Sequence, residues 1–467
     1  MKAFTRPVPP LVIIGGVLLA LASIQTVHAA GYGSAASEPR SAGAQRSQII
    51  LPRGIYLYRE QLANDAQFDQ ALGVPGIDGM AVVLDWSTIQ PSPDGFRTET
   101  IDSQLKLARQ HNLPVELVVR AGRSVPAWVA PDAQLKLGYA PHAGLGACSA
   151  VNMPPPWDAT YQNAFADIMK RTAEYVRGQG IAMSVVKLTG INATTEELRL
   201  SAEREDSTEN CPGGPVDDVA VWRTAQYTPT KLVQAFDRLA SSFAKYFPDT
   251  PVTVALIPRR GFPPINDAQQ IVRGQQIRVL NDRVLQSLVS SAAPSLPGRL
   301  ILQFDFLMYG QPANAEVVNL ARANGLYLAW QTNLWRGNVR QGAACGGNGP
   351  RKGTVCTDDQ YLGLLEGGIH PAGGQGLNAK GLYIEVFAYD ALAHKDVIEK
   401  AHQETGRHEL NIDGLGVGTM SASGVRRDKA ALSSGCEPTR QPLQSEGNEA
   451  RIEGQFRVKN LRIGPKR

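Results

Sequence analysis

Eight short apolar runs recur along this chain, most of them followed by a helical pattern, and that alternation limits the fold more than any other feature. The runs are GIYLYR (54–59), MAVVLDW (80–86), PVELVVR (114–120), SVVKLTG (184–190), PVTVALIP (251–258), RLILQFDF (299–306), LYLAWQTN (326–333) and LYIEVFAYD (382–390). Several are almost continuously apolar, as expected of parallel strands covered on both faces. Helical periodicity fills Ile101–His111, Ala159–Gly178, Thr230–Phe247, Arg273–Ser291, Ala313–Asn324 and Asp358–Gly367, with Asp158 placed to cap the second of these. Alternation of this kind predicts β-α units on a parallel sheet.

Connection lengths decide between an open and a closed sheet. Connections from a helix into the next strand are short and rich in turn residues: HNLP, GQG, PDT and NG. Connections leaving strand C-termini are long: Ala121–Trp157, Ile191–Thr228 and Leu334–Thr357. Elaborated loops over one rim and a plain opposite rim predict an α/β fold of the (β/α)8 TIM-barrel type, with its site at the C-terminal strand ends. No strand is followed by GxGxxG or GxxxxGK[ST], so a nucleotide-binding doubly wound sheet is disfavoured.

The two ends depart from the barrel pattern. Lys2 and Arg6 precede the apolar stretch Leu11–Ile24, and Val27-His28-Ala29 supplies small residues where a signal peptidase cuts. The expectation is a signal peptide over 1–29, a polar disordered leader over 30–48, the barrel over 49–403, and a periplasmic or secreted mature protein with no membrane association after cleavage. Residues 404–467 are rich in Gly, Ser and charge and are expected to form a partly disordered tail or a small β appendage. The cysteines suit an oxidising compartment; Cys345–Cys356 and Cys148–Cys211 are the expected pairs, leaving Cys436 over. A formal charge of +4, with no basic stripe interleaved with aromatics, argues against nucleic acid as a partner.

Polar residues at strand C-termini are where a barrel keeps its chemistry. The second strand ends in Asp85 and Trp86; the third supplies Arg120, with Glu116 deeper inside and Trp128 in its loop. The fourth leads to Asn192, Glu196 and Glu197. The sixth offers Asp305, the seventh Trp330 and Gln331, and the eighth Glu385. Aromatic faces, planar amides and carboxylates are the groups that bind sugars, and a pair of carboxyls cleaves a glycosidic bond, one protonating the leaving oxygen while the other stabilises or attacks the cationic centre. Bland readings stand beside these. TTEEL is a common helix start, so Glu196 and Glu197 could be N-terminal helix groups. Either tryptophan at a strand end could be packing, and Asp85 could only brace loops. The histidines show no metal spacing, no cofactor motif is present, and no G-x-S-x-G elbow occurs.

The stretch Gly76–Trp128, with GIDGMAVVLDWSTIQPSPDGF and LPVELVVRAGRSVPAWV, resembles the second and third β-α units of clan A glycoside hydrolases, the superfamily of β-galactosidases and cellulases. There, W-x-x-(I/L)-(E/Q)-P, here Trp86–Pro91, precedes a third strand ending near P-x-W, here Pro126–Trp128. The resemblance implies a (β/α)8 barrel and retaining hydrolysis with an acid/base Glu after the fourth strand. Two departures stand out. Asn192 is separated from the Glu pair, and the seventh strand carries Gln331 where the clan has its nucleophile. The expectation is a secreted glycoside hydrolase acting on an oligo- or polysaccharide, or alternatively a non-catalytic glycan-binding barrel. Glu197 and Glu385 are the expected catalytic pair. Asp85, Trp86, Arg120, Trp128, Asn192, Glu196, Asp305, Trp330 and Gln331 are expected to bind substrate. Glu197 is preferred over Glu196 because Leu198 and Leu200 would pack and fix the residue before them.

Overall fold

The computed structural model describes residues 49–59, 64–138, 151–193, 195–200, 202, 217–257, 261–307, 309, 315–332, 356–370 and 381–409. The expected signal peptide, leader and tail lie outside these residues, except that the last helix runs on to Glu409, past the expected barrel limit at 403. Of the cysteines only Cys356 is described, in a buried position, so the expected pairings also fall outside.

All eight expected strands form, as β1 (Gly54–Tyr58), β2 (Ile77–Asp85), β3 (Val115–Arg120), β6 (Met183–Lys187), β7 (Val252–Leu256), β8 (Leu300–Leu307), β9 (Tyr327–Thr332) and β10 (Gly381–Phe387). Neighbours pair in parallel in the order β1-β10-β9-β8-β7-β6-β3-β2, and β1 closes on β2 to complete the ring. A short antiparallel pair, β4 (Leu135–Leu137) with β5 (Val151–Met153), lies in the long connection after β3. The fold is therefore an α/β barrel of the (β/α)8 type, with its longest loops at the C-terminal strand ends.

Helices form where sequence supplies both a cap and an apolar stripe. Asp158 accepts from the Tyr161 amide at the start of α4 (Ala159–Gly178). Thr228 caps α6 (Pro229–Tyr246), whose first residue is proline, and Leu232, Ala235, Phe236, Leu239 and Phe243 form its buried stripe. Thr357 and Gln360 close a capping box on α9 (Asp358–Ile369). The remaining long helices are α3 (Glu99–Gln110), α7 (Gln275–Ala292) and α11 (Lys395–Glu409). Helix α1 (Asp65–Leu72), also opened by a capping box, was not signalled by periodicity.

Strand parity sorts the side chains into two layers. Leu117, Val119, Val186, Val254, Leu302, Leu328, Trp330, Ile384 and Val386 face outward into the large core beneath the helices. The other parity faces the barrel axis, and it is far more polar. Tyr56, Val185, Ile301, Ala329 and Tyr383 form a small apolar floor. Above and beside it stand Glu116, Lys187, Thr253, Gln303, Asp305, Gln331 and Glu385, all buried. Gly79 makes room on this face: a Cβ there would sit 2.4 Å from the Tyr56 ring.

Candidate active site

The centre of the barrel is an ion-paired network. Lys187, the last residue of β6, places Nζ 2.8 Å from Glu385 Oε1 and 3.7 Å from Glu116 Oε1, and none of the three side chains has exposed surface. Gln331 Nε2 donates to the other Glu385 oxygen, its strand neighbour across the β9–β10 register. The Tyr383 hydroxyl lies 3.2 Å from Glu116 Oε1 and 2.9 Å from Thr253 Oγ1. Burial alone would push the Glu385 carboxyl upward, but the Lys187 charge and hydrogen bonds from Glu116, Lys187 and Gln331 outweigh it and hold Glu385 below the usual carboxylate range. Glu116 moves the other way: burial and the Glu385 charge raise it well above that range, against the pull of Lys187. The two carboxyls are thus driven apart, Glu385 toward its charged form beside Lys187 and Glu116 toward its protonated form.

The connection after β6 brings two more carboxyls over this network. It does not open a helix as TTEEL suggested; it folds back on itself. The Ala193 amide donates to Arg199 O at 2.7 Å, and Leu198 N to Ala255 O at the end of β7 at 2.8 Å. Asn192 is consumed by the loop: its Oδ1 accepts from Gly190 N at 3.0 Å and its Nδ2 donates to Thr195 O. Gly122 presses against this turn with φ of +56°, and a Cβ there would lie 2.3 Å from Asn192 O, so only glycine fits the contact. Leu198 and Leu200 are buried, which fixes the segment that carries Glu196 and Glu197.

Glu196 is buried and receives a hydrogen bond from the Tyr58 hydroxyl. Glu197 is half-buried as a residue, but its Oε2 has no contact with water and no hydrogen-bond partner among the described residues. Burial, then the charge of Glu196, raise the Glu197 carboxyl to about 7, with smaller opposing effects from Arg199 and Lys187. Asp305, on the inward face of β8, leaves both oxygens without hydrogen-bond partners among the described residues although only 4% of the residue is exposed. Burial and the charges of Glu197, Glu385 and Glu196 raise it well above its ordinary value, opposed by Lys187. Asp305 is therefore within electrostatic reach of both expected catalytic carboxyls.

At the rim, Asp85 and Arg120 end adjacent strands in register and form a two-point pair, with Nε and Nη2 each 2.9 Å from a carboxylate oxygen. Ser124 Oγ adds a third bond to Asp85 at 2.6 Å. Three expected ligand residues are corrected. Trp86 and Trp330 have no exposed surface and offer no face to a sugar. The reason is parity: Asp85 and Gln331 point inward, so the residue after the first and the residue before the second must point into the helix layer. There Trp86 packs on Trp128, Tyr161 and Phe165 and donates to Gln90 Oε1 at 2.8 Å, while Trp330 lies against Phe304, Gly368 and Gly381. Asn192 is the third, committed to loop structure. Trp128 remains partly exposed, donating to Gln90 O at 3.2 Å.

Sequence reasoning missed Lys187, the hub of the network. Its signal is the one that marks Glu116 and Glu385, a lone charge within an apolar strand on the inward parity. Among the described residues no three His, Cys, Asp or Glu side chains are arranged to hold a metal ion.

Fold and site together define a (β/α)8 barrel with a carboxyl-rich C-terminal mouth. No protein-family profile matches the chain, and no curated protein matches it in sequence. Among solved structures it is similar to the β-amylase catalytic domain from Paenibacillus polymyxa, at 10% identity and a TM-score of 0.47 over 76% of this chain and 98% of that one. It is similar as well to a family 10 endo-β-1,4-xylanase from Gloeophyllum trabeum, at 15% identity and 0.39 over 72% and 84%. A β-galactosidase from Marinomonas ef1 matches at 14% and 0.35 over 78% and 60%. These are likenesses of fold; the closed ring of eight parallel strands establishes the barrel by itself.

Proposed function

We propose that this protein is an exported glycoside hydrolase that cleaves O-glycosidic bonds with a carboxyl acid and a carboxylate. One observation carries the reading: two carboxyls at the barrel centre are driven in opposite directions, Glu197 up to about 7 and Glu385 below its ordinary range. A general acid must hold a proton near neutral pH and release it to the leaving oxygen, which suits Glu197. The second group must carry negative charge opposite the developing oxocarbenium centre, which suits Glu385, kept ionised by Lys187. Asp85 and Arg120 would hold the substrate at the rim, with Gln331, Glu196 and Asp305 nearer the cleaved bond. The retaining course implied by the clan A resemblance belongs to this reading, and proton NMR of the first-formed anomer tests it.

One observation favours the other reading, a glycan-binding barrel without turnover. Both Glu385 oxygens are engaged, by Lys187 and Gln331, and the side chain has no exposed surface. Turnover on a glycan panel with Glu197→Gln and Glu385→Gln separates the two. Loss of activity by about two to four orders of magnitude in both variants supports hydrolysis. Sugar binding with no cleavage by the unaltered protein supports the binding barrel, and unchanged turnover in both variants removes the assignment. Export is tested by N-terminal sequencing of the periplasmic fraction, expected to begin after Ala29.

A further inference from the structure

Tyr58 ends β1 and reaches two parts of the site at once. Tyr56, two residues earlier, belongs to the apolar floor and pairs in register with Glu385, while Tyr58 pairs with Phe387. On the same inward parity, Tyr58 therefore stands one layer nearer the mouth than Glu385 on the adjacent strand. Its ring meets Phe387 edge to face, with centroids 5.9 Å apart, and packs with Ala81. Lys187 Nζ lies 5.4 Å from the centre of the same ring, a cation–π contact. The hydroxyl donates to Glu196. One side chain thus meets the buried ion network with its face and the loop after β6 with its tip. Burial, then the charge of Glu196, raise the hydroxyl well above the ordinary tyrosine range, so it remains a donor at neutral pH.

A buried tyrosine hydroxyl needs an acceptor in any fold, and a backbone carbonyl serves. Tyr161 uses one, donating to Gly190 O at 2.6 Å, and so fixes the backbone where the same loop begins. Tyr58 bonds an acidic side chain instead. Leu198 and Leu200 hold the loop's chain, whereas the Tyr58 hydroxyl holds the carboxyl itself. We propose that Tyr58 is a positioning residue for the acid pair of this loop, keeping the Glu196 carboxyl in place beside Glu197 from a ring seated over Lys187. Its consequence for catalysis rests on the hydrolase reading above, in which Glu197 is the acid. Glu197 is raised by burial first and by the charge of Glu196 second, with smaller opposing effects from Arg199 and Lys187, and it acts in turn on Asp305. Tyr58 itself faces Glu196, Arg120, Glu385 and Lys187. Releasing Glu196 weakens the second effect, because a charge acts less at greater distance and with freer access to water, and leaves burial as it was. Glu197 then gives up its proton at lower pH.

The test is a carbon-13 NMR pH titration of the full-length protein labelled at its glutamate carboxyls, with Glu197 identified by the signal lost in Glu197→Gln. Tyr58→Phe keeps the ring over Lys187 and removes the hydroxyl, and the Glu197 midpoint should fall by about half a pH unit or more. Glu196→Asp keeps the charge but draws it away from the hydroxyl, and should move the midpoint the same way. With Glu196→Gln already present, Tyr58→Phe should add no further fall. An unchanged midpoint in Tyr58→Phe overturns the inference, as does a fall of equal size when Glu196→Gln is present. Should Tyr58→Phe fail to fold, an unchanged midpoint in Glu196→Asp overturns it instead. The titration needs no substrate, so turnover on the glycan panel is judged separately. A lowered midpoint without cleavage by the unaltered protein upholds the positioning role and removes the hydrolase, whereas cleavage with an unmoved midpoint does the reverse. Where both hold, the alkaline limb of kcat/KM in Tyr58→Phe should move down with the NMR midpoint.

Discussion

Replacing Lys187 by methionine keeps most of the side chain's length and removes the charge at the barrel centre. In the native protein that charge lies 2.8 Å from Glu385 and 3.7 Å from Glu116, with no side chain of the three exposed. Taking one partner from a fully buried pair costs about 3–5 kcal/mol, because the remaining charge loses its partner without regaining water. Glu385 would keep only the bonds from Gln331 and Glu116, and burial would then dominate, raising its carboxyl instead of lowering it. The sign with pH follows. In the native protein the depressed Glu385 contributes stability above the ordinary carboxylate range, lost as pH falls through its folded value. In the variant the raised Glu385 contributes only at low pH and loses that contribution as pH rises. The deficit of Lys187→Met should therefore be largest near pH 7 and shrink by at least about 1–2 kcal/mol near pH 4.5, each unit of altered pKa being worth about 1.4 kcal/mol. Lys187 itself is raised from an already alkaline value and does not titrate in that window. Urea unfolding at the two pH values measures the effect, and Glu385→Gln added to Lys187→Met should recover most of the loss at pH 7. A deficit equal at both pH values, or no recovery in the double variant, would refute the ion-pair account.

Other outcomes follow from the same geometry. Because Glu197 must be protonated to act as an acid, kcat/KM should fall about tenfold per unit above pH 7, and the limb should vanish in Glu197→Gln, as a pH–rate profile would register. Raised from 4.5 to about 7 on folding, Glu197 should also draw on the order of 3 kcal/mol from stability as pH climbs through that interval, a slope absent from Glu197→Gln in pH-dependent urea unfolding. Trp86→Ala should cost about 3–5 kcal/mol in thermal denaturation through lost packing; if the ring were instead a sugar platform, binding would weaken with stability unchanged. Gly381→Ala should destabilise by about 1–3 kcal/mol, since its Cβ would sit 2.3 Å from Gly368 O and 2.7 Å from Trp330 Nε1; a melting temperature equal to that of the native protein would show that this contact relaxes freely.

The barrel was legible because its signals are local. Apolar strands, capped amphipathic helices and the contrast of short and long connections all lie within a few tens of residues of one another, and together they specify eight strands and the rim that carries the site. Glu385 was legible for a related reason: a lone acid in an apolar strand has nowhere to go but the axis or a partner. The same argument applied to SVVKLTG would have found Lys187. What strand ends alone did not convey is facing. Asp85 and Trp86, or Trp330 and Gln331, are sequence neighbours with equal claims to the mouth until parity is fixed, and fixing it sends both tryptophans into the helix layer.

From sequence alone, then, come the eight-strand barrel, the C-terminal rim and the short list of carboxyls on it. Only the tertiary structure decided what each carboxyl does. Lys187 and Glu385 lie 198 positions apart and meet because the ring closes. The fold-back from Asn192 to Leu200 then brings Glu196 and Glu197 within reach of Asp305 on another strand. Protonation depends on burial and on charges a few ångströms away, and those distances are properties of the closed barrel that no local pattern encodes. The stretch that offers two adjacent glutamates in the sequence becomes, in the fold, one acid bonded to Tyr58 and one poised near neutrality within electrostatic reach of Asp305.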